Sequence, residues 1–189
     1  MHPCRLEGHA QRLAGGEQML LAGDFVIDGV KGGRFVAPRE IAARLGRLRA
    51  PLGTYAVLGN HDWWNGADKV RRALEDAGIP VLDDRAVPLA KGACRFWLAG
   101  LGDLWEGKPD VRRALRGVPP DAPLLALTHN PDLFPAIPAS VALTIAGHTH
   151  GGQVRIPFYG PVITPSRYGK RYAQGHIVER GRHLFVSPG

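Results

Sequence analysis

The chain has 189 residues, 44% of them hydrophobic, which is enough for one domain with a substantial core and too few for two. Its formal net charge of +7 comes from 24 Lys and Arg against 17 Asp and Glu. Because these cations are scattered along the sequence, the charge alone does not indicate a nucleic-acid-binding protein. No apolar run approaches the roughly 18 residues that a membrane-spanning helix needs.

The apolar residues predict strands and helices that alternate through the first two thirds of the chain. In chain order, the predicted elements are a strand at 18–22, a helix at 39–48, a strand at 54–58, a helix at 67–77, strands at 79–82 and 94–99, a helix at 109–116, and strands at 124–128, 141–146 and 153–156. Residues 176–179 and 183–186 are predicted to form a hairpin around Gly181. This order indicates a single α/β domain over residues 1–189, with sheets inside and helices outside.

The segment from Ala146 to Gln153 places two histidines, His148 and His150, two residues apart directly after a predicted strand. Imidazole is the commonest neutral ligand of zinc, iron and related divalent metals. The glycines on both sides of the pair allow the backbone to turn tightly there. We therefore interpret both histidines as candidate metal ligands.

Other side chains that can bind metals also follow predicted strands directly: Asp24 after 18–22, Asn60, His61 and Asp62 after 54–58, and His129 after 124–128. Each alone has an ordinary structural explanation. Asp and Asn beside glycine are common turn residues, and a single histidine behind a strand is often a hydrogen-bonded core residue. Together with the histidine pair, they favour one metal site, because side chains at the carboxyl ends of strands converge in α/β sheets.

Carboxylate, amide and imidazole donors together suit Mn, Fe or Zn rather than Cu(I) or iron–sulfur clusters. A carboxylate can bridge two such ions, and two bridged ions clamp the attacking and leaving oxygens of a phosphoryl group and activate water. The residue set therefore indicates hydrolysis at phosphorus. His61 could protonate the leaving group, and Asp62 could fix the orientation of the His61 ring.

These motifs resemble those of the calcineurin-like metallophosphoesterase superfamily. The resemblance rests on Gly-Asp at 23–24, Gly-Asn-His-Asp at 59–62, His-Asn-Pro-Asp at 129–132 and Gly-His-Thr-His at 147–150, in that order. The residues around these motifs are most similar to a bacterial branch of the YkuE and YaeI type. The resemblance implies a two-sheet β-sandwich flanked by helices, with a dinuclear metal site at one sheet edge.

The same resemblance implies a role for each candidate residue. The implied ligands of two divalent ions, Mn, Fe or Zn, are Asp24 as the bridge, Asn60, His129 and His148 at one ion, and His150 at the other. His61 would be the catalytic histidine near the leaving group, supported by Asp62. The implied activity is hydrolysis of phosphodiester or pyrophosphate bonds by a metal-bound hydroxide.

The chain departs from the family pattern at its start. The family begins with a strand that ends in Asp-x-His, whose two side chains bind the same ion as His150. Only 23 residues precede Asp24, and none of them is Asp. Relatives also continue beyond Gly189 into a last strand. We therefore expect a single domain that is shortened at both ends, lacks the first and last strands and retains one of the two metal ions.

Two classes of function remain open. The first is a metal-dependent phosphoesterase that acts on a phosphate-containing small molecule or a lipid-linked nucleotide, without specific nucleic-acid binding. The alternative is a catalytically impaired metal-binding fragment that lost its activity with the Asp-x-His strand. The expected location is cytoplasmic, with peripheral contact with the inner membrane in full-length relatives.

Two further groups could contact a substrate. The first is aromatic and would pack against a base or an acyl chain at the mouth of the site, or simply against the domain itself: Trp63, Trp64 and Trp105. The second is cationic and would meet substrate phosphates or remain solvated: Arg155, Arg167, Lys170 and Arg171. The sequence leaves both pairs of alternatives open.

Overall fold

The computed structural model describes residues 17–29, 32–152, 154–156 and 160–189. The strands in this part of the chain are β1 Met19–Leu21, β2 Thr54–Ala56, β3 Arg85–Lys91, β4 Cys94–Gly100, β5 Leu124–Leu127, β6 Leu143–Ala146, β7 Val154–Ile156, β8 Gly160–Ile163, β9 Gly175–Glu179 and β10 Arg182–Val186. The α-helices are α1 Pro38–Leu45, α2 Asn60–Trp64, α3 Ala67–Asp76 and α4 Val111–Ala114, and 3-10 helices occur at Pro131–Ala136 and Gly169–Tyr172. Among the described residues, no helix has both the length and the apolar character to cross a membrane.

The strands form one large sheet and two small ones. The large sheet has six strands in the order β3-β4-β5-β6-β10-β9. Its four central strands are parallel, and β3 and β9 pair antiparallel at the two edges. Strands β1 and β2 form a parallel pair, and β7 and β8 form a separate antiparallel pair.

Alternating side chains of the six-stranded sheet pack into two hydrophobic clusters, one on each face of the sheet. On β5, Leu125 and Leu127 lie in one cluster with Val57, which directly follows β2. Leu124 and Ala126 belong to another cluster, on the side of α4 and the first 3-10 helix. All four residues of β5 are buried, as expected for a parallel strand that is covered on both faces. The six-stranded sheet therefore packs against the β1–β2 sheet on one face and against helices on the other.

Helices α1 and α3 cover the outer face of the β1–β2 sheet. Val70 and Leu74, one turn apart on α3, pack in one cluster with Ala56 and Leu58. Ala42 of α1 lies in the same cluster. The order of layers is helices, small sheet, large sheet, helices, which confirms the predicted α/β sandwich flanked by helices.

Several predicted elements differ from the structure. The predicted strand at 79–82 is reduced to one bridge between Ala56 and Val81, and Pro80 beside it has no N–H to donate. Strand β3 was missed because Pro88 interrupts it, which an edge strand tolerates. The helix predicted at 109–116 is shorter in the structure, where it forms α4. It begins after Asp110 because the Asp110 side chain caps its start by accepting the N–H of Arg113.

Two predictions near the end of the chain concern strands. The predicted hairpin is confirmed: β9 and β10 pair antiparallel around a two-residue turn of Arg180 and Gly181. The predicted strand at 153–156 is present as β7, and Gln153 itself lies outside the described residues.

Candidate metal centre

The carboxyl ends of parallel strands from both sheets meet at one edge of the sandwich. Asp24 follows β1, Asn60 begins α2 behind β2, His129 follows β5 and His148 follows β6. Nδ1 of His129 lies 2.6 Å from the carbonyl oxygen of Ala22. This imidazole therefore connects the six-stranded sheet to the β1–β2 sheet, and it lies where the strand-end pattern predicted.

Three of the predicted ligands surround one imidazole nitrogen, Nε2 of His129. It lies 3.0 Å from Nδ1 of His148, 3.2 Å from Oδ1 of Asn60 and 3.3 Å from Oδ2 of Asp24. Because Nδ1 of His129 faces the carbonyl of Ala22 and donates to it, Nε2 is free to bind a metal. The ligand atoms of Asp24, His129 and His148 all lie within 4.8 Å of one another, which could hold one metal ion.

Burial and the types of donor atom both fit a metal ion at this position. The side chains of Asn60, His129 and His148 are buried. The nitrogen of His148 that faces His129 is Nδ1, and it opposes Nε2 of His129, whose ring has its other nitrogen on the carbonyl of Ala22, so both nitrogens can offer a lone pair to one ion. The mixture of oxygen and nitrogen donors suits Mn, Fe or Zn.

The charges of the site favour a neutral His148 and an ionised Asp24. Burial, together with the nearby His129, lowers the pKa of His148 to about 4. Burial alone would raise the pKa of Asp24, but the hydrogen bond and charge of His129 and the backbone N–H of His61 lower it on balance. Burial alone would lower the pKa of His129, but its contacts with Asp24 raise it. A proton on His129 therefore competes with a metal ion.

Metal affinity is expected to fall when the pH is lowered. The fall should begin at a higher pH than in a site whose histidines have unshifted pKa values. The raised pKa of His129 means that its proton must leave when a metal binds. Calorimetric titrations with Mn²⁺ near pH 8 and near pH 6 should show weaker binding at the lower pH, with more protons released per metal at pH 6 than at pH 8. Equal affinity at both values would contradict this assignment.

Asp62 supports the loop that carries Asp24. The Asp62 side chain is fully buried. Its carboxylate accepts, over 2.8–3.0 Å, the backbone N–H groups of Asp24, Phe25, Val26 and Gly59. Burial raises the pKa of Asp62 to about 6, although these donors oppose the shift. Support of the His61 ring by Asp62 stays a prediction; as the third residue of α2, Asp62 turns back to accept backbone amides.

The turn after β6 separates its two histidines. Thr149 is buried, and its hydroxyl donates to the carbonyl oxygen of Ala173 at 2.7 Å. His148 before it is buried in the cluster, whereas His150 after it is exposed and lies outside the cluster. The structure thus brings together Asp24, Asn60, His129 and His148, and it leaves His150 apart.

Backbone conformation also marks this site. Asp24, His148 and His150 adopt positive φ values of 58°, 69° and 51°. Such conformations cost non-glycine residues on the order of 1–3 kcal/mol each and are concentrated at functional sites. They aim the side chains in directions that a regular strand end would not allow.

His61 lies beside the cluster rather than in it. Its backbone N–H donates to Oδ1 of Asp24 at 3.0 Å. Its half-buried ring packs edge-on against Trp64, with 4.7 Å between the ring centroids. The imidazole is therefore next to the candidate ligands but remains accessible to solvent.

Asp103 belongs to this site but was not predicted. Its Oδ2 accepts the backbone N–H groups of Trp105 and Glu106 at 2.8 and 2.9 Å. Its Oδ1 is buried and unpaired within the described residues. Burial raises the pKa of Asp103, and the nearby charge of His129 opposes that shift. Asp103 follows β4 behind a glycine, the same pattern that identified Asp24, so the signal was present in the sequence.

The predicted substrate-contacting residues divide between the site and other places. Trp105 packs edge-on against His148 at 4.7 Å between centroids, whereas Trp63 packs against the core beneath α1 and α3. Arg171 forms an ion pair with Glu179. The remaining cations are Lys170 and Arg167, which are exposed, and Arg155, whose side chain lies outside the described part of the structure.

This chain belongs to the calcineurin-like phosphoesterase family, whose sequence model matches residues 7–152. It is 36% identical over 149 residues to the uncharacterized metallophosphoesterase YkuE of Bacillus subtilis (strain 168), covering 77% of this chain and 51% of YkuE. It is 35% identical over 175 residues to the phosphodiesterase YaeI of Escherichia coli (strain K12), covering 90% of this chain and 62% of YaeI. The chain therefore spans between half and two thirds of these relatives.

A solved structure shares the fold. The NAD nucleotidase of Haemophilus influenzae superposes with a TM-score of 0.55 at 15% sequence identity, covering 95% of this chain and 41% of that protein. At this identity the likeness concerns the fold alone. Together, the family match and this superposition confirm the predicted family and architecture.

Proposed function

We propose that this domain hydrolyses phosphodiester or pyrophosphate bonds with the help of divalent metal ions. The observation that carries the proposal is the convergence of Asp24, Asn60 and His148 on Nε2 of His129 at a buried sheet edge. A divalent ion supplies Lewis-acid activation of water and of phosphoryl oxygens. The name of the relative YaeI, a phosphodiesterase, supports the same reaction class.

The chain's own residues would divide the remaining tasks. The ionised Asp24 carboxylate presents one oxygen to His129 and the other to the backbone N–H of His61. His61, accessible beside this carboxylate, is placed to donate a proton to the leaving oxygen. Asp62 keeps the Asp24 loop in place through its backbone hydrogen bonds.

The number of metal ions bears both on this proposal and on its alternative. The family resemblance implies a dinuclear site, and His150 would bind the second ion. Because His150 is exposed and lies outside the cluster, we propose that the four clustered residues hold one ion firmly. The same observation favours the alternative, a metal-binding domain with impaired catalysis.

Hydrolysis of bis(p-nitrophenyl) phosphate tests the proposed function. The protein is stripped with a chelator, assayed, reloaded with Mn²⁺ and assayed again. We expect release of p-nitrophenolate only from the metal-loaded protein. Metal-loaded protein that releases none would exclude phosphodiesterase activity and support the impaired domain.

Replacing Arg167 with alanine is expected to raise KM for an anionic diester about three- to tenfold, with a smaller change in kcat. The Arg167 side chain is 62% exposed, and its Nε lies 3.6 Å from Oδ2 of Asp132. Asp132 in turn lies close enough to His148 for its charge to oppose the fall in the pKa of that histidine. Steady-state kinetics with Arg180→Ala, an exposed turn residue, provide the control. An unchanged KM in Arg167→Ala would exclude this role.

The partner class and location are proposals too. The net charge of +7 favours an anionic ligand, so we propose a phosphate-containing small molecule or a lipid-linked nucleotide as substrate. We also propose a cytoplasmic location with peripheral contact to the inner membrane. Sedimentation with vesicles that contain anionic lipid tests this contact, and protein that stays in the supernatant would exclude it.

A further inference from the structure

Two exposed tryptophans flank the metal cluster. Trp64 on α2 is 57% exposed, and Trp105 in the loop after β4 is 47% exposed. Each packs against a histidine of the site, Trp64 against His61 and Trp105 against His148, with 4.7 Å between ring centroids in both pairs. Large indole rings that remain open to solvent beside a polar site are well suited to contact a ligand.

Glu106 joins these two tryptophans. Its Oε1 accepts a hydrogen bond from Nε1 of Trp64 at 2.9 Å, and it directly follows Trp105 in the chain. This contact connects segments that are 42 residues apart. The two indoles and this carboxylate therefore form one continuous surface beside the cluster, which we call the tryptophan rim.

The loop that carries half of the tryptophan rim is held firmly. The buried carboxylate of Asp103 accepts the N–H groups of both Trp105 and Glu106, and the N–H of Gly107 donates to the Asp103 carbonyl at 3.0 Å. A loop fixed in this way loses little conformational freedom when a ligand binds. The Trp105 ring therefore has a fixed position beside the metal cluster before any ligand binds.

We propose that the tryptophan rim is a subsite for a flat aromatic group of the substrate, esterified to the phosphate at the metal cluster. The inference rests on the proposed function and adds the substrate class. Aromatic ligand groups stack on indole faces with little dependence on their identity. The Glu106 carboxylate repels a second anionic group, so a neutral or cationic ring such as a nucleobase fits better than another phosphate.

Binding of three phosphonates to the Mn²⁺-loaded protein, measured by calorimetry, tests the subsite without requiring turnover. Phenylphosphonate carries a flat ring, butylphosphonate a short chain, and methylphosphonate neither. We expect phenylphosphonate to bind about tenfold more tightly than methylphosphonate and also more tightly than butylphosphonate. Trp64→Leu and Trp105→Leu should each remove most of this preference. Phe185→Leu, an exposed ring on β10, should keep it.

Each outcome decides the proposal. A phenyl-to-methyl preference that is absent from the unaltered protein, or that survives either tryptophan substitution, would overturn the subsite. Tighter binding of butylphosphonate than of phenylphosphonate would overturn the flat group in favour of an acyl chain. Selective phenylphosphonate binding by a protein that hydrolyses no ester would overturn the proposed function and leave the subsite standing.

Discussion

Replacement of His129 by alanine is expected to remove the tightly bound metal ion and to lower kcat/KM for a phosphodiester by at least about a thousandfold. Nε2 of His129 is the atom on which the other ligand atoms converge, at 3.0 Å from His148, 3.2 Å from Asn60 and 3.3 Å from Asp24. The substitution also removes the contact of Nδ1 with the carbonyl of Ala22. Elemental analysis and steady-state kinetics on the same preparation measure both effects.

A second histidine provides the matched control. His183 is exposed on β10, and its Nδ1 lies 2.9 Å from Nε2 of His176, outside the site. His183→Ala should keep both the metal ion and the activity. Circular dichroism distinguishes loss of metal from loss of folding in His129→Ala. A folded His129→Ala variant that retains its metal would show that the centre has been placed on the wrong residues.

Replacement of Gly59 by alanine is expected to lower the free energy of unfolding by about 3 kcal/mol and to weaken metal binding. A Cβ at this position would lie 2.2 Å from Oδ1 of Asp24 and 2.7 Å from Cε1 of His129. The φ of Gly59 is −101°, which alanine adopts freely, so the effect is steric rather than conformational. Chemical denaturation and Mn²⁺ titration measure the two consequences.

Gly102→Ala is the control for this substitution. A Cβ on Gly102 would meet its nearest neighbour, the carbonyl oxygen of Gly107, at 3.5 Å, which is ordinary contact. We expect a change within about 1 kcal/mol. If Gly59→Ala were as stable as the unaltered protein, the close approach of Gly59 to Asp24 would be refuted.

The layers of the fold could be predicted because the buried strands are continuous apolar runs. Strand β5, Leu124–Leu127, is an example, since it is covered on both faces and all of its residues are apolar. Strand β3 could not be predicted in the same way, because its burial alternates irregularly at a sheet edge and Pro88 interrupts it. Helix α2 was missed because its residues were interpreted as site residues directly behind a strand, and no helix was predicted there.

The residue types at the strand ends could be predicted, but their partners could not. Asp24, Asn60, His129 and His148 were identified because each follows a strand whose carboxyl end lies at the same edge. The backbone partners of Asp62 lie up to 38 residues away, so no local pattern revealed them. His148 and His150 were both interpreted as ligands from their spacing, whereas in the structure His148 is buried in the cluster and His150 is exposed outside it.

The number of metal ions that remain bound per chain after exhaustive dialysis tests the central claim most directly. Elemental analysis of protein loaded with Mn²⁺ should find about one ion per chain, held by Asp24, Asn60, His129 and His148, and none in His129→Ala. Two firmly bound ions would contradict the proposal that His150 contributes little. A chain without bound metal would contradict the metal centre itself.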